Sequence, residues 1–248
     1  MTNNTISLSK MKILVVLFLL FTLNSFSQTA PDSLQAPIDS NYLTEIKTGL
    51  LHEWPNNKTI NLVFHGHSVP AGYFKTPVVN TLGAYPYQLL KLLKEKYPFA
   101  VINIIITSIG GENSVSGQKR FKREVLSHHP DVLFIDYALN DRGIGLGKAQ
   151  RAWEKMIKCA LRKKIKIILL TPSPDQGVDL LVAGNDLEKH RNQVAALSRK
   201  YNTGLIDSYS LFKKIKENCN CIADYMSQIN HPNEKGHALI AAEIMKYF

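Results

Sequence analysis

NLVFHGHSVPAG, residues 61–72, joins a short apolar run to a tight turn. The run Ile60–Phe64 is followed at once by a segment with two glycines and a proline, which is typical of a buried strand that ends in a loop. In α/β sheets, ligands bind at the loops that follow the carboxyl ends of the strands. Ser68 in this loop is therefore a candidate nucleophile, although many serines in such turns serve the turn alone.

The same alternation of apolar runs and amphipathic segments continues along the chain. Strands that are apolar on both faces, separated by helical patterns, indicate a parallel sheet covered on both sides by helices. The sequence therefore predicts one three-layer α/β/α domain with a five-stranded parallel sheet. The predicted strands are Ile60–Phe64, Ala100–Thr107, Val132–Ala138, Ile165–Leu170 and Gly204–Asp207, and the predicted helices are Tyr42–Trp54, Tyr85–Tyr97, Gly117–Ser127, Lys148–Lys163, Leu187–Tyr201 and Glu234–Tyr247.

The amino-terminal residues have the pattern of a secretory signal. Two lysines precede the apolar run 13–23, and Ser25 and Ser27 are the small residues expected before a cleavage site. The run is too short to cross a bilayer comfortably. We predict a signal peptide at 1–27, a flexible arm at 28–41 and one domain at 42–248. The domain is then exported to the periplasm or the cell exterior without stable membrane insertion, an uncleaved signal anchor being the alternative.

The chain is basic, with a formal charge of +10 that falls to +8 when Lys10 and Lys12 leave with the signal peptide. The basic residues are scattered along helical segments without interleaved aromatic residues. This pattern indicates solvated faces and argues against nucleic-acid binding. Attraction to an acidic polysaccharide or an anionic membrane surface is the secondary interpretation.

The three cysteines do not indicate a disulfide framework. Cys219 and Cys221 are too close in sequence for an ordinary bridge, and Cys159 lies in an amphipathic helical pattern where a buried thiol is expected. A pair between Cys219 and Cys221, or a link from Cys159, stays open.

Three further loops follow predicted strands and should open on the same edge of the sheet as Ser68. Gly110 and Gly111 would let a backbone N–H approach a ligand closely, as an oxyanion donor must, although paired glycines also suit a plain turn. Asn140 offers a side-chain N–H₂ for the same purpose, or caps a helix. His231 precedes a Pro-Asn helix start, which should hold it just outside the last helix.

Four sequence blocks in this order resemble the SGNH, or GDSL-like, hydrolase superfamily. The blocks are GHS at 66–68, SIGGENS at 108–114, ALND at 138–141 and NHPNEKGH at 230–237. The resemblance covers residues 60–248 and implies a flavodoxin-like three-layer fold and a serine esterase without metal or cofactor. It implies Ser68 as nucleophile and His231 as its base, with the N–H groups of Ser68 and Gly111 and the amide of Asn140 as the oxyanion hole.

The chain departs from the family pattern at three positions. His67 replaces the aspartate of GDS, and Ala138 replaces the glycine of GxND. More consequential is Gln228, which stands where the family usually has an acid three residues before the catalytic histidine.

The substitution at 228 leaves open what orients His231. An orienting carboxylate fixes the tautomer of the imidazole and stabilises the imidazolium, and replacing one by an amide in a serine protease costs about 10⁴ in rate. Gln228 or a backbone carbonyl could accept a hydrogen bond instead. Otherwise another acid substitutes, with Asp224 nearest in sequence and Asp136, inside an apolar strand, a more remote choice.

By analogy with the family, the expected substrate is an O-acetyl ester on a polysaccharide. Lysophospholipase or thioesterase activity is the nearest alternative. A glycan-binding protein that has lost catalysis with its acid is a third. Arg142 either holds an anionic group of the substrate or is a surface or capping residue.

His65 and His67 form an H-x-H pair at the end of the first predicted strand, as in metal-dependent amidohydrolases. Alternate residues of a strand point to one side, so the pair could share a metal. Because no further ligand cluster accompanies them in the sequence, we expect His65 to pack in the core and His67 to line the pocket.

Overall fold

The computed structural model describes Met1 and residues 39–248. The predicted signal peptide at 1–27 and most of the predicted arm at 28–41 lie outside the described residues. Within the described part of the chain, no helix is long and apolar enough to cross a bilayer.

Five parallel strands form the central sheet, as predicted. Their bounds are β1 Thr59–Gly66, β2 Val101–Ile106, β3 Val132–Asp136, β4 Lys166–Leu170 and β5 Gly204–Ile206. The strand order is β2-β1-β3-β4-β5, so the chain begins near one edge and changes winding direction after β2. The carboxyl end of β1 therefore lies between those of β2 and β3, and the loops after all three strands can meet there.

Alternate side chains of each central strand enter two different cores. On β1, Leu62 and Phe64 belong to one core and Val63 to the other, and all three are fully buried. On β3, Phe134 and Leu133 divide in the same way. Burial on both faces explains why these strands are apolar at every position.

Helices cover both faces of the sheet and complete the predicted three layers. Helices α4 and α5 line one core, whereas α3 and α8 line the other. The bounds are α1 Thr44–Leu50, α2 Ser68–Ala71, α3 Tyr85–Lys96, α4 Ser114–Glu124, α5 Leu146–Leu161, α6 Asp186–Tyr201, α7 Ser208–Cys219 and α8 Glu234–Met245.

Helices α2 and α7 and a small hairpin were not predicted. Residues 68–71, expected in a loop, form the short helix α2. Asp207 was predicted at the end of a strand, but its side chain accepts the N–H of Ser210 and caps α7. The antiparallel hairpin pairs β6, Met226–Gln228, with β7, His231–Pro232. It brings Gln228 opposite His231.

Two of the three cysteines are bonded to each other. Cys219 ends α7, Asn220 takes a left-handed conformation with φ of 50°, and the chain turns back so that Cys221 bonds to Cys219. Of the alternatives that the sequence left open, the structure has the pair between Cys219 and Cys221, and the left-handed residue between them reverses the chain. Cys159 is a free, buried thiol, as expected.

Candidate active site

Ser68 begins the short helix α2, directly after the turn that ends β1. A Cβ at Gly66 would lie 2.4 Å from the carbonyl oxygen of Asp136 on β3, so only glycine allows the strand end to pack this closely. The side chain of His67 accepts the N–H of Val69 and caps α2. Ser68 is 7% exposed and sits at the carboxyl edge of the sheet.

His231 reaches the same edge from the opposite end of the chain. The side chain of Asn233 accepts the N–H groups of Lys235 and Gly236 and caps α8, which holds His231 just outside this helix as predicted. The structure places Nε2 of His231 2.9 Å from Oγ of Ser68. The two side chains are thus within hydrogen-bonding distance.

The second ring nitrogen of His231 faces a backbone carbonyl. Its Nδ1 lies 2.9 Å from the carbonyl oxygen of Phe74, which can only accept a hydrogen bond. This contact favours the tautomer with the proton on Nδ1. Nε2 is then free to accept the hydroxyl proton of Ser68.

Gln228 also approaches Nδ1 of His231, but with its amide nitrogen, at 2.6 Å. The amide oxygen of Gln228 accepts the backbone N–H of Thr76 at 3.1 Å. Because an amide nitrogen is a donor, this orientation favours the tautomer without a proton on Nδ1. Gln228 and Phe74 therefore favour opposite tautomers, and only the one favoured by Phe74 suits His231 as a base.

Neither acid proposed from the sequence pairs with His231. Asp224 is exposed and forms no hydrogen bond or ion pair with His231, because it lies in a turn before the hairpin. Asp136 is buried and accepts the phenol of Tyr85 at 3.1 Å, with Nε2 of His67 at 3.3 Å from its other oxygen. Burial lowers the pKa of His231, and the carbonyl of Phe74 partly offsets this.

The three predicted oxyanion donors lie in the segments that follow β1, β2 and β3. The backbone N–H of Ser68 and that of Gly111 make no hydrogen bond within residues 39–248. Gly111 has a φ of 76°, and the space where a Cβ would project is open. Asn140, just after β3, donates one side-chain hydrogen to the carbonyl of Glu112 at 2.9 Å, and its second amide hydrogen has no acceptor in the part of the chain that the structure describes.

A buried network not predicted from the sequence holds the loop of Gly111. The carboxylate of Glu112 accepts Nε of Arg120 at 2.9 Å and the phenol of Tyr137 at 2.8 Å. Asp141, next to Asn140, accepts the N–H of Ser114 at 2.8 Å, and burial raises its pKa. The only sequence clue was a glutamate inside the SIGGENS block followed by an arginine on the next helix.

The remaining singled-out residues have structural partners. His65 is fully buried, as expected, against Thr107 and Gly117, and burial lowers its pKa to about 3, which keeps it neutral. His67 is also fully buried and not on an open pocket wall, because its ring lies against Asp136. Arg142 pairs with Asp175 at 2.5 Å and donates to the carbonyl of Leu139. These local contacts agree with a surface or capping residue.

Comparison with known proteins gives a family and two similar folds. The profile of the GDSL-like lipase/acylhydrolase family matches residues 64–239, well over half of the chain. No curated protein sequence matches this chain significantly.

Among solved structures, an acetylxylan esterase from Geobacillus stearothermophilus is similar with a TM-score of 0.64 and 20% identity, over 76% of this chain and 93% of that one. A two-domain esterase active on acetylated mannans is similar with a TM-score of 0.66 and 20% identity, over 85% of this chain and 53% of that one. The chain belongs to the GDSL-like lipase/acylhydrolase family and is an ester hydrolase.

Proposed function

We propose that this chain is an exported serine esterase that removes O-acetyl groups from a polysaccharide. The observation that carries the proposal is the 2.9 Å contact between Oγ of Ser68 and Nε2 of His231. A hydroxyl is a weak nucleophile until a neighbouring base accepts its proton. His231 is such a base when its proton lies on Nδ1, where the N–H donates a hydrogen bond to the carbonyl of Phe74.

Acylation begins when Oγ of Ser68 attacks the carbonyl carbon of the ester and its proton passes to Nε2 of His231. The carbonyl oxygen becomes an oxyanion and accepts hydrogen bonds from the N–H groups of Ser68 and Gly111 and the amide of Asn140. The tetrahedral intermediate collapses, the bond to the sugar oxygen breaks, and that oxygen takes the proton from Nε2.

Deacylation repeats these steps with water. His231 accepts a proton from the water as it attacks the acyl group on Ser68, and the same three donors bind the second oxyanion. Collapse releases acetate and returns the proton to Oγ of Ser68. The free enzyme is restored, with no metal or redox partner needed for the proton and electron balance of this cycle.

The substrate class rests on similarity together with export. The two similar structures are of esterases described as acting on acetylxylan and on acetylated mannans. An exported enzyme, as residues 1–27 predict, would meet such polymers outside the cell. Both supports concern the substrate and are independent of the catalytic geometry.

A substrate panel tests the proposed substrate class. Purified residues 28–248 should release acetate from acetylated xylan or acetylated mannan faster, at equal ester concentration, than they release fatty acid from lysophospholipid or acyl groups from a long-chain thioester. Acetate and fatty acid are quantified separately. Faster release of the long acyl groups would assign the chain to the lysophospholipase or thioesterase alternative.

A catalytically degenerate, glycan-binding member of the same hydrolase family is the second candidate, and Gln228 favours it. In a serine protease, an amide in place of the orienting carboxylate costs about 10⁴ in rate. Saturable binding of xylo-oligosaccharide without acetate release above the rate of buffer would support this candidate and overturn the esterase proposal.

Replacing Gln228 by glutamate should raise kcat/KM by roughly 10- to 100-fold. Glutamate has the shape of glutamine. One carboxylate oxygen can therefore accept a hydrogen bond from the N–H of Thr76, and the other can accept one from Nδ1–H of His231. The gain should be smaller than the 10⁴ seen in a serine protease, because the carbonyl of Phe74 already favours the working tautomer. Acetate release measured from pH 4 to 9 gives both the rate and its acid limb.

The acid limb distinguishes this account from a general change in stability. Wild-type activity should fall with a midpoint below the ordinary imidazole pKa of 6.5, because burial disfavours protonated His231. Gln228→Glu should move the midpoint upward, since a carboxylate favours the imidazolium. Gln228→Met, which removes the competing donor without adding charge, should be at least as active as wild type. A Glu variant no faster than wild type would contradict this reading of Gln228.

A further inference from the structure

Tyr73 lies at the mouth of the site, and its backbone is fixed to the nucleophile. Its N–H donates to the carbonyl oxygen of Ser68 at 3.0 Å, and it forms an isolated antiparallel bridge with Val79. The position of its Cα relative to Ser68 is therefore set by main-chain bonds. A substitution at 73 can change the side chain without removing these bonds.

The ring of Tyr73 spans the two halves of the catalytic machinery. A Cβ at Gly110 would lie only 2.8 Å from the ring carbon that bears the hydroxyl, so the ring packs directly on the loop of Gly111. Its centroid lies 6.3 Å from that of His231, with the two planes at 54°. At 39% exposure, much of the side chain remains open to solvent.

The order of the chemical steps indicates which part of the substrate meets this ring. The leaving oxygen must take its proton from Nε2 of His231, so the alcohol part of the ester lies on the side of His231. Tyr73 is a partly exposed aromatic residue whose ring lies beside that of His231. The alcohol part of the substrate, not its acyl group, should therefore cover the ring.

Two more apolar side chains are exposed in the loops that carry the site residues. Ile109 directly precedes Gly110 and is 48% exposed, and Ile229 lies two residues before His231 and is 58% exposed. A pyranose presents C–H groups on its faces and hydroxyls at its edge. An aromatic ring with a polar tip matches such an amphipathic ligand, since its face buries apolar area and its hydroxyl remains available for a hydrogen bond.

We propose that Tyr73 is the sugar-binding platform of the active site, packing its ring against the sugar that carries the ester. The inference rests on the proposed esterase function and specifies which residue selects a sugar over a simple alcohol. Tyr73 contacts the substrate and leaves the proton transfers to Ser68 and His231. Its contribution should appear mainly in KM for sugar esters.

The test compares two acetate esters that differ only in the alcohol. Tyr73→Ala should lower kcat/KM for acetylated xylo-oligosaccharide by roughly tenfold or more, chiefly through KM, because an aromatic contact is lost. Ethyl acetate has an alcohol too small to cover the ring, so it reports only the loss that comes from the ring's packing on the loop of Gly111. The loss for the sugar ester should exceed the loss for ethyl acetate by about tenfold. Tyr73→Phe should retain most of the preference for the sugar ester.

Three results would overturn the inference, and they differ from failure of the proposed function. Equal losses on both esters would make Tyr73 a support for the catalytic groups, and no loss on either would show that the sugar does not contact it. The third is equal affinity of Ser68→Ala and Ser68→Ala/Tyr73→Ala for xylo-oligosaccharide by calorimetry. Wild-type protein that hydrolyses neither ester would overturn the esterase proposal, whereas the calorimetric comparison would still test Tyr73.

Discussion

Replacing Ser68 by alanine should lower kcat by about 10⁴- to 10⁵-fold, to the residual rate that the oxyanion donors and substrate binding provide. In a serine protease with a complete triad, loss of the nucleophile alone costs about 10⁶. The loss should be smaller here because wild type already lacks the carboxylate that Gln228→Glu would restore. Among residues 39–248, the change removes the one hydroxyl that lies within hydrogen-bonding distance of Nε2 of His231. Acetate release over several hours, compared with buffer, gives the residual rate.

The double variant provides the internal control. His231→Ala should cost nearly as much as Ser68→Ala, and both changes together should cost little more, because nucleophile and base act as a unit. Thermal unfolding of Ser68→Ala should resemble that of wild type, since a single hydroxyl is removed from a helix that keeps its backbone. Losses that multiply in the double variant would show that the two residues act separately.

Asn140→Ala should lower kcat by about 10² to 10³ and leave KM nearly unchanged. Removal of one oxyanion donor has this effect in another serine hydrolase. The free hydrogen of the Asn140 amide is the donor at stake, and its other hydrogen holds the carbonyl of Glu112. Steady-state kinetics on ethyl acetate avoid contributions from sugar binding.

Asn103→Ala is the matched control for Asn140→Ala. Asn103 is an exposed asparagine on the edge strand β2, and its side chain donates one hydrogen bond, to Asn61 at 2.9 Å. Asn103→Ala removes the same kind of side-chain amide at a position away from the site, so this variant should leave kcat unchanged. A loss below about threefold in Asn140→Ala would remove this amide from the proposed oxyanion hole.

The fold was predictable because strands buried on both faces leave a local pattern in the sequence. Val63 enters one core while Leu62 and Phe64 enter the other, so a strand buried on both faces is apolar at each position and can be recognised from sequence. Helix α7 was missed because one residue, Asp207, fits both a strand end and a helix cap. Contacts of its carboxylate with Ser210 decide the matter, and they exist only in the folded chain.

Some residues of the candidate site could likewise be predicted from the sequence, and others could not. Side chains with distinctive chemistry, such as Ser68, Asn140 and His231, were identified in their loops, and the structure brings the first and last of these together. The acceptor for Nδ1 could not be identified, because every residue has a backbone carbonyl and nothing marks that of Phe74. The hypothesis that Asp136 orients His231 is wrong, because the carboxylate of Asp136 lies against His67 and Tyr85.

One segment, residues 72–80, supplies the Phe74 carbonyl to the base, the Thr76 N–H to Gln228 and the ring of Tyr73 to the substrate. Base strength and sugar preference therefore share a single short stretch of backbone. An insertion or deletion there would change both traits at once, so homologues that differ in the length of this segment should differ jointly in acid tolerance and in choice of glycan.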